Sequence, residues 1–276
     1  MRNVTEATAT EAVIARFDGC TDARLKQVMT SLVTHLHAFV RDVEPTEAEW
    51  FAAIAFLTAT GQMCDDKRQE FILLSDTLGV SALVQVINNR KSPTTTDTSV
   101  FGPFWVAEAP LLEAGAAIIR DGTVPTLHVH GRVTGAGGTP IAAALIDVWQ
   151  TAPNGLYDVQ DPAQPAMNMR GRFRSDADGR FAFRTTPSRP YTIPHDGPVG
   201  KLLNATGRHP WRPAHLHFMI QAPGYRKLTT ALYFAGDPYL DSDAVFGVKD
   251  SLVVRSVPAP DGGSELRYDF ALERAA

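Results

Sequence analysis

The stretch GRFRSDADGRFAFRTT, Gly171 to Thr186, decides the fold class. Polar and apolar residues alternate on both sides of Asp178-Gly179, with Arg172, Phe173 and Arg174 before it and Arg180, Phe181, Ala182 and Phe183 after it. A period of two belongs to a half-buried strand, and Asp-Gly tolerates the positive φ of a tight turn, so the stretch predicts a β-hairpin. The same pattern runs from Thr126 onward. TLHVHGRVTG, AALIDVWQT, HLHFMIQA, TTALYFAG, DSLVVRSV and LRYDFAL alternate or run apolar, separated by Gly, Pro, Asn and Asp turns. Strands in succession without helical spacers predict an antiparallel β-sandwich or barrel.

Upstream the period changes. TDARLKQVMTSLVTHLHAFVRDVE repeats apolar residues at three- and four-residue intervals, through Leu25, Val28, Met29, Leu32, Leu36 and Val40, which predicts an amphipathic helix. Thr46 and Glu49 form a capping-box pattern before the apolar run Trp50 to Leu57. Further helices are predicted within KRQEFILLSDTLG and SALVQVINNR. A helical region of this size normally packs on another domain or on a second copy of itself, so a dimer is expected. KSPTTTDTSVFGPFW, with its prolines and threonines, reads as the linker into the β region. The chain is therefore mainly β with an α-helical N-terminal region: residues 1–98 helical, residues 99–276 the sandwich.

Composition narrows the partners. The 276 residues, 44% of them hydrophobic, suffice for a substantial core. The net charge of -4, with basic residues scattered, offers no footprint for nucleic acid. Two cysteines, Cys20 and Cys64, supply neither a disulfide framework nor a zinc-module spacing and fit a reducing cytoplasm. No run of about 18 uncharged apolar residues occurs, and MRNVTEATATEAVIARF lacks the apolar run of a signal peptide. A cytoplasmic protein, not a membrane protein, is expected.

Six of the eight histidines fall in pairs of one spacing: His35 with His37, His128 with His130, and His215 with His217. On a helix, residues two apart point about 200° away from each other, so His35 and His37 cannot share an ion. On a strand, such residues share a face some 6 to 7 Å apart, which suits two ligands of one ion. Two pairs pass that test. No clear third ligand stands near His128 and His130, and an exposed strand face explains them as well. Arg212, three residues ahead of His215, brings a permanent cation within reach of the same pocket. Tyr157 and Tyr191 sit in the turn-rich contexts APNGLYD and TTPSRPYTIPHDGP. Either tyrosine alone reads as a half-buried amphipath. With two histidines they suggest another set, because a phenol ionises near neutrality only on a strong Lewis acid, and anionic oxygen favours ferric iron over zinc.

IDVWQTAPNGLYD, GRHPWRPAHLHF and GYRKLTTALYFAGDPYLDSDAVFGVKDSL strongly resemble the intradiol ring-cleaving dioxygenases of the catechol 1,2-dioxygenase group. The resemblance covers almost the whole chain, including the helical region and GPFW at Gly102 to Trp105. PYTIPHDGPVGKLL with GRHPWRPAH is most similar to the hydroxyquinol-cleaving members. It implies one Fe(III) per subunit, held by Tyr157, Tyr191, His215 and His217 with water or hydroxide as a fifth ligand. It also implies a homodimer through the N-terminal helices, often enclosing a phospholipid, and a catalytic sandwich domain. The implied reaction opens hydroxyquinol (benzene-1,2,4-triol) with O2 between the adjacent hydroxyl carbons, giving 3-hydroxy-cis,cis-muconate, or maleylacetate. Tyr191 is implied to leave the metal and take a proton, and Arg212 to stabilise the carbanion-like ring. The wall positions implied are Leu73, Asp76, Val100, Phe101, Gly102, Pro103, Ile193, Pro194, Arg212 and Val245. Leu73 and Asp76, three apart, share a helix face, and Asp76 is suited to the third hydroxyl. A catechol or chlorocatechol 1,2-dioxygenase giving cis,cis-muconate, an aromatic-binding transthyretin-like domain and a zinc hydrolase are the rival readings. His195 and His209 receive no role.

Overall fold

The computed structural model describes residues 2–65, 68–260 and 262–275. The chain divides into two compact units, Met1–Ala59 and Thr60–Ala276. The change from helix to strand that the sequence marks at 98/99 thus lies inside the second unit, because two further helices pack with the β region.

In the first unit, α1 (Ala9–Ile14) lies against α2 (Ala23–Val43), and α3 (Glu47–Gln62) begins there. The Asp22 carboxylate caps α2 by accepting from the N–H groups of Arg24 at 2.8 Å and Leu25 at 3.0 Å. The capping box forms: Thr46 N–H donates to Glu49 Oε2 at 2.8 Å, and Glu49 N–H to Thr46 Oγ1 at 3.3 Å. His35 and His37 are both on α2, and Thr10 takes the His37 Nδ1 at 3.1 Å. Leu25, Leu32, Leu36, Phe39 and Val43, spaced by three, four and seven residues, are each more than half exposed.

The second unit continues with α4 (Glu70–Thr77) and α5 (Val80–Asn88), joined through Gly79 at φ 73°, a left-handed position suited to glycine. The strands follow: β1 (Leu127–Gly135), β2 (Leu145–Trp149), β3 (Arg170–Arg174), β4 (Arg180–Thr185) and β5 (Tyr191–Thr192), then helix α6 (Pro198–Ala205). After it come β6 (Trp211–Arg212), β7 (His215–Gln221), β8 (Leu228–Phe234), β9 (Val253–Val254), β10 (Val257–Pro258), β11 (Ser264–Arg267) and β12 (Phe270–Leu272). One sheet runs β10-β11-β1-β12 with β4 also on β1, and the other runs β3-β2-β7-β8-β9. β5 and β6 make a separate two-stranded ribbon.

Two expectations need correction. The sheets are mixed: β11 and β12 run parallel to β1, and β9 parallel to β8, because the C-terminal segments return in the direction of the strands they join. The stretch around Asp178-Gly179 does turn, with Asp176 N–H donating to the Arg180 carbonyl at 2.9 Å, but its arms make no ladder. β3 pairs with β2 and β4 with β1, in opposite sheets. Phe173 of one arm stacks on Phe183 of the other, ring centroids 5.4 Å apart, within the core. The alternation is as expected, but the apolar faces meet across the sandwich instead of lying side by side.

β7 carries the consequence for function. Its Leu216, Phe218 and Ile220 enter the core between the sheets, with Leu127 and Val129 from β1 and Ile146 and Val148 from β2. His215 and His217 therefore point to the other face. That face is also buried, by Trp149, Tyr157, Tyr191 and Met219.

β1 changes partner midway, from β11 at Leu127–His130 to β12 at Val133–Gly135. Gly131 sits at the switch, where an added Cβ would overlap the backbone carbonyl of Tyr268. Gly131→Ala is expected to lower unfolding stability by about 3 kcal/mol, the upper end for overpacking, measured by urea denaturation against the parent protein.

Candidate metal centre

β7 holds His215 and His217 in line, and their Nε2 atoms lie 3.0 Å apart. Both side chains are buried. The His215 Nδ1 lies 2.7 Å from the Pro213 carbonyl, an acceptor, so the ring donates there and turns its Nε2 lone pair toward His217 and Arg212. Burial and the Arg212 charge push the His215 pKa down to about 3. Burial, then the His215 and Arg212 charges, hold His217 well below its ordinary value. Both imidazoles are neutral at pH 7, the state that binds metals. His217 is flanked by its cross-strand neighbour Trp149, whose ring stacks on it at 4.8 Å and an interplanar angle of 4°.

The two tyrosines arrive by different routes. Tyr191 begins β5 and pairs in register with Arg212 of β6, which sets the phenol beside the guanidinium. Tyr157 lies in the loop after β2, where Gly155 takes φ 82° and Gln160 Oε1 accepts the Tyr157 N–H at 3.1 Å. Behind it, Arg170 and Asp158 form a buried ion pair at 2.6 Å, with the Arg170 guanidinium 5.8 Å from the Tyr157 ring centre. Phe104 stacks on the other side of Tyr157 at 4.6 Å. The two phenol oxygens are 3.4 Å apart. Burial first, and then Tyr191, push the Tyr157 pKa well above its usual 10.

Two neutral imidazole nitrogens and two phenol oxygens thus converge. Among the described residues no three His, Cys, Asp or Glu side chains group as a metal site, so the phenols complete the set. Such an N2O2 set with ionisable oxygens fits a hard, highly charged cation, and ferric iron better than zinc. The His128 and His130 pair is elsewhere, on β1, with His130 Nε2 2.7 Å from Glu265 Oε1.

Arg212 is buried and holds Asp243, with Nε 3.0 Å from Oδ1. Burial raises the Asp243 carboxyl, but Arg212 and the Gly247 N–H outweigh it and hold the pKa below the usual range. Arg212 and Tyr191 also form part of the wall of a cavity of about 670 Å³. Leu73, Asp76, Val100, Gly102, Pro103, Ile193, Pro194 and Val245 line it as well. Phe101 does not: its ring turns to Trp105 at 5.7 Å and Trp149 at 5.9 Å, bracing the plane against which His217 stacks. Burial lifts the Asp76 carboxyl above its ordinary pKa, opposed by the Ser81 hydroxyl and the Arg212 charge.

α4, which carries Leu73 and Asp76, is tied down at its start. Glu70, fully buried, accepts from Val199 N–H of α6 at 3.2 Å, and Arg68 bridges Glu70 at 2.9 Å and Asp196 at 2.8 Å. Phe104, Trp105, Val159 and Gln160 are among the further wall residues that the sequence did not point to. Phe104 and Trp105 had a signal, since they belong to the same GPFW element. His195 and His209 point elsewhere, His195 Nδ1 to the Ile193 carbonyl at 3.1 Å and His209 Nε2 to Ser242 at 2.9 Å.

Comparison with known proteins gives two family matches, "Catechol dioxygenase N terminus" over residues 22–96 and "Dioxygenase" over residues 100–274. The chain is 53% identical over 272 residues to a 6-chlorohydroxyquinol 1,2-dioxygenase of Cupriavidus pinatubonensis, covering 99% of both chains. It is 50% identical to a hydroxyquinol 1,2-dioxygenase of a Rhizobium species, covering 96% of this chain and 90% of that one. A crystal structure of hydroxyquinol 1,2-dioxygenase from Pseudomonas putida superposes with a TM-score of 0.93 at 53% identity, covering 98% of this chain and 99% of that one.

The donor set makes a direct test. Tyr157→Phe and His217→Ala are each expected to strip the purified protein of its metal, read by elemental analysis, while His128→Ala retains it. Metal loss on changing His128 would move the centre to β1.

Proposed function

The chain belongs to the catechol dioxygenase family of intradiol ring-cleaving enzymes, and we propose that it cleaves hydroxyquinol with O2 between the adjacent hydroxyl carbons, giving 3-hydroxy-cis,cis-muconate, the enol form of maleylacetate. The observation that carries this reading is one cavity lined by Tyr191 and Arg212 and, on α4, by Asp76. The family is dependent on non-haem iron, and Tyr157, Tyr191, His215 and His217 are the residues proposed to hold one Fe(III) per subunit. When bound, ferric iron supplies a Lewis acid that withdraws electron density from a chelated diol and opens its ring to O2.

The protein's own part follows from the positions of its groups. Tyr191 lines the cavity whereas Tyr157 is closed off behind Phe104, so Tyr191 Oη is the phenol oxygen that meets an arriving diol and takes one of its protons. Arg212 Nη1, 3.4 Å from that oxygen, stabilises the negative charge that the ring acquires on losing its protons. Val100, Ile193 and Val245 hold the flat ring and exclude water. Asp76 accepts a hydrogen bond from the third hydroxyl, which catechol lacks. Asp76→Ala is expected to lower kcat/KM for hydroxyquinol by about 10-fold, the value of one buried hydrogen bond, and to leave catechol turnover nearly unchanged. Product analysis and kinetics on both diols measure this, and a parent enzyme that prefers catechol would overturn the substrate assignment.

The apolar stripe of α2 supports a homodimer formed through the N-terminal helices, since a stripe of exposed leucines needs a cover in water. Exposed Val80, Leu83, Val84 and Ile87 on α5 offer a further apolar surface, suited to the acyl chains of a phospholipid. No single helix is long and apolar enough to cross a membrane; α4 and α5 together meet that test by length and composition, but bend by 76°. Sedimentation of the purified protein is expected to show about twice the 30.0 kDa chain mass, and Leu32→Glu with Leu36→Glu to yield monomers.

A further inference from the structure

Arg212 meets its surroundings unevenly. Of the three guanidinium nitrogens, two are held from behind: Nε at 3.0 Å from Asp243 Oδ1, and Nη2 at 3.3 Å from Asp243 Oδ2 and 3.4 Å from the Tyr233 hydroxyl. Only Nη1 faces the centre, at 3.4 Å from Tyr191 Oη and 3.3 Å from His215 Nε2. The backing groups are themselves fixed. Asp243 accepts from the N–H groups of Val245 at 3.3 Å and Gly247 at 2.9 Å, so the chain wraps around its carboxylate. That turn carries Phe246 at φ 59°, a left-handed conformation a side chain seldom adopts. Tyr233 is anchored by Ser99 Oγ at 2.7 Å, which also donates to the Gly247 carbonyl at 2.8 Å. Ser99, Arg212, Tyr233 and Asp243 are all buried.

Gly247 closes the arrangement. A Cβ there would stand 2.5 Å from the Tyr233 hydroxyl and 3.0 Å from both Arg212 Nη2 and Val100 Cγ2. The guanidinium thus has no room to swing back, and its fork is locked on two edges by a carboxylate and a phenol.

We propose that Asp243, assisted by Tyr233, is the positioning residue of the reaction: it aims the single free edge of Arg212 at the bound diol and, through the Val245 N–H, fixes the cavity wall in the same register. The inference rests on the ring-cleavage reading, and it assigns Asp243 no contact with substrate. A long, flexible arginine gains its catalytic value here by being unable to move. The turn Asp243-Ala244-Val245-Phe246-Gly247 exists to hold it, which accounts for the strained Phe246 and for glycine at 247.

The experiment uses the iron-loaded full chain and four variants: Asp243→Asn, Tyr233→Phe, Arg212→Gln and the double change Asp243→Asn with Arg212→Gln. Asp243→Asn is expected to keep its iron and the visible tyrosinate band of the free enzyme. Its kcat on hydroxyquinol is expected to fall about 100-fold, the cost of a misplaced catalytic group, with KM changed by less than about 3-fold. Tyr233→Phe is expected to lose about 10-fold in kcat, the value of one hydrogen bond to a charged group. In the double variant, the Asp243 change is expected to add nothing to the loss from Arg212→Gln, because both remove one function. A second readout is the band of the anaerobic diol complex, expected to shift in Asp243→Asn and Tyr233→Phe while the free-enzyme band stays.

Additive losses in the double variant, unchanged kcat in both single variants, or loss of iron from Asp243→Asn would each overturn the assignment. If the parent enzyme turns over catechol and not hydroxyquinol, the substrate reading fails. The same four variants then test the positioning role on catechol.

Discussion

Everything at the centre depends on β7 being buried on both faces. A strand in a sandwich normally turns one face to the core and the other to water, and its alternation is then read as inside and outside. Here Leu216, Phe218 and Ile220 fill the core while His215 and His217 point away from it, into a second buried layer built from Trp149, Tyr157, Tyr191 and Met219. Covering that outer face requires long excursions between short strands: the segment before β1, the loop from β2 to β3, and the segment carrying β5 and α6. Those excursions bring the remaining groups. Two of the candidate donors, His215 and His217, are therefore set by the central strand of the sheet, and the two phenols and the cavity wall by the segments that cover it.

What was legible in the sequence follows from how local each signal is. The helical period of α2 and the Thr46–Glu49 box rest on relations between residues a few positions apart, and these hold in the structure. GRFRSDADGRFAFRTT shows the boundary of such reasoning. Its turn and its alternation are real, yet nothing local states whether two arms pair side by side or separate into facing sheets. Burial of Phe173 against Phe183 decides for the second. Mixed strand direction is likewise hidden, because it depends on where the last strands return.

The centre repeats the pattern. Arg212 is visible beside its histidines, but Asp243 is one aspartate among several in GDPYLDSDAVFG, with no feature to mark it. Its role appears only when the turn closes and brings Val245 and Gly247 N–H groups onto its carboxylate. Tyr233 reads as an ordinary strand aromatic, and only the β7–β8 register, pairing it with His215, shows that its hydroxyl reaches Arg212. Phe101 errs in the opposite direction: its neighbours Val100, Gly102 and Pro103 face the cavity while its ring leaves it to brace Trp149.

Charge then selects what the centre accepts. Two arginines lie buried beside the phenols, and each carries its own carboxylate, Arg170 with Asp158 and Arg212 with Asp243. A buried charge without a partner is costly, so these pairs leave the site without surplus of either sign. With both imidazoles neutral, only the phenols remain to balance a bound cation, and burial resists ionising Tyr157 unless that cation is strong. A divalent ion with two phenolates would have no positive charge to spare for further anionic ligands. Tyr157 and Tyr191 as phenolates would leave a trivalent cation held between them one unit of positive charge, which would favour an anionic oxygen of a diol. Tyr191, the phenol open to the cavity beside the Arg212 edge, would be the one placed to take a proton from an arriving diol.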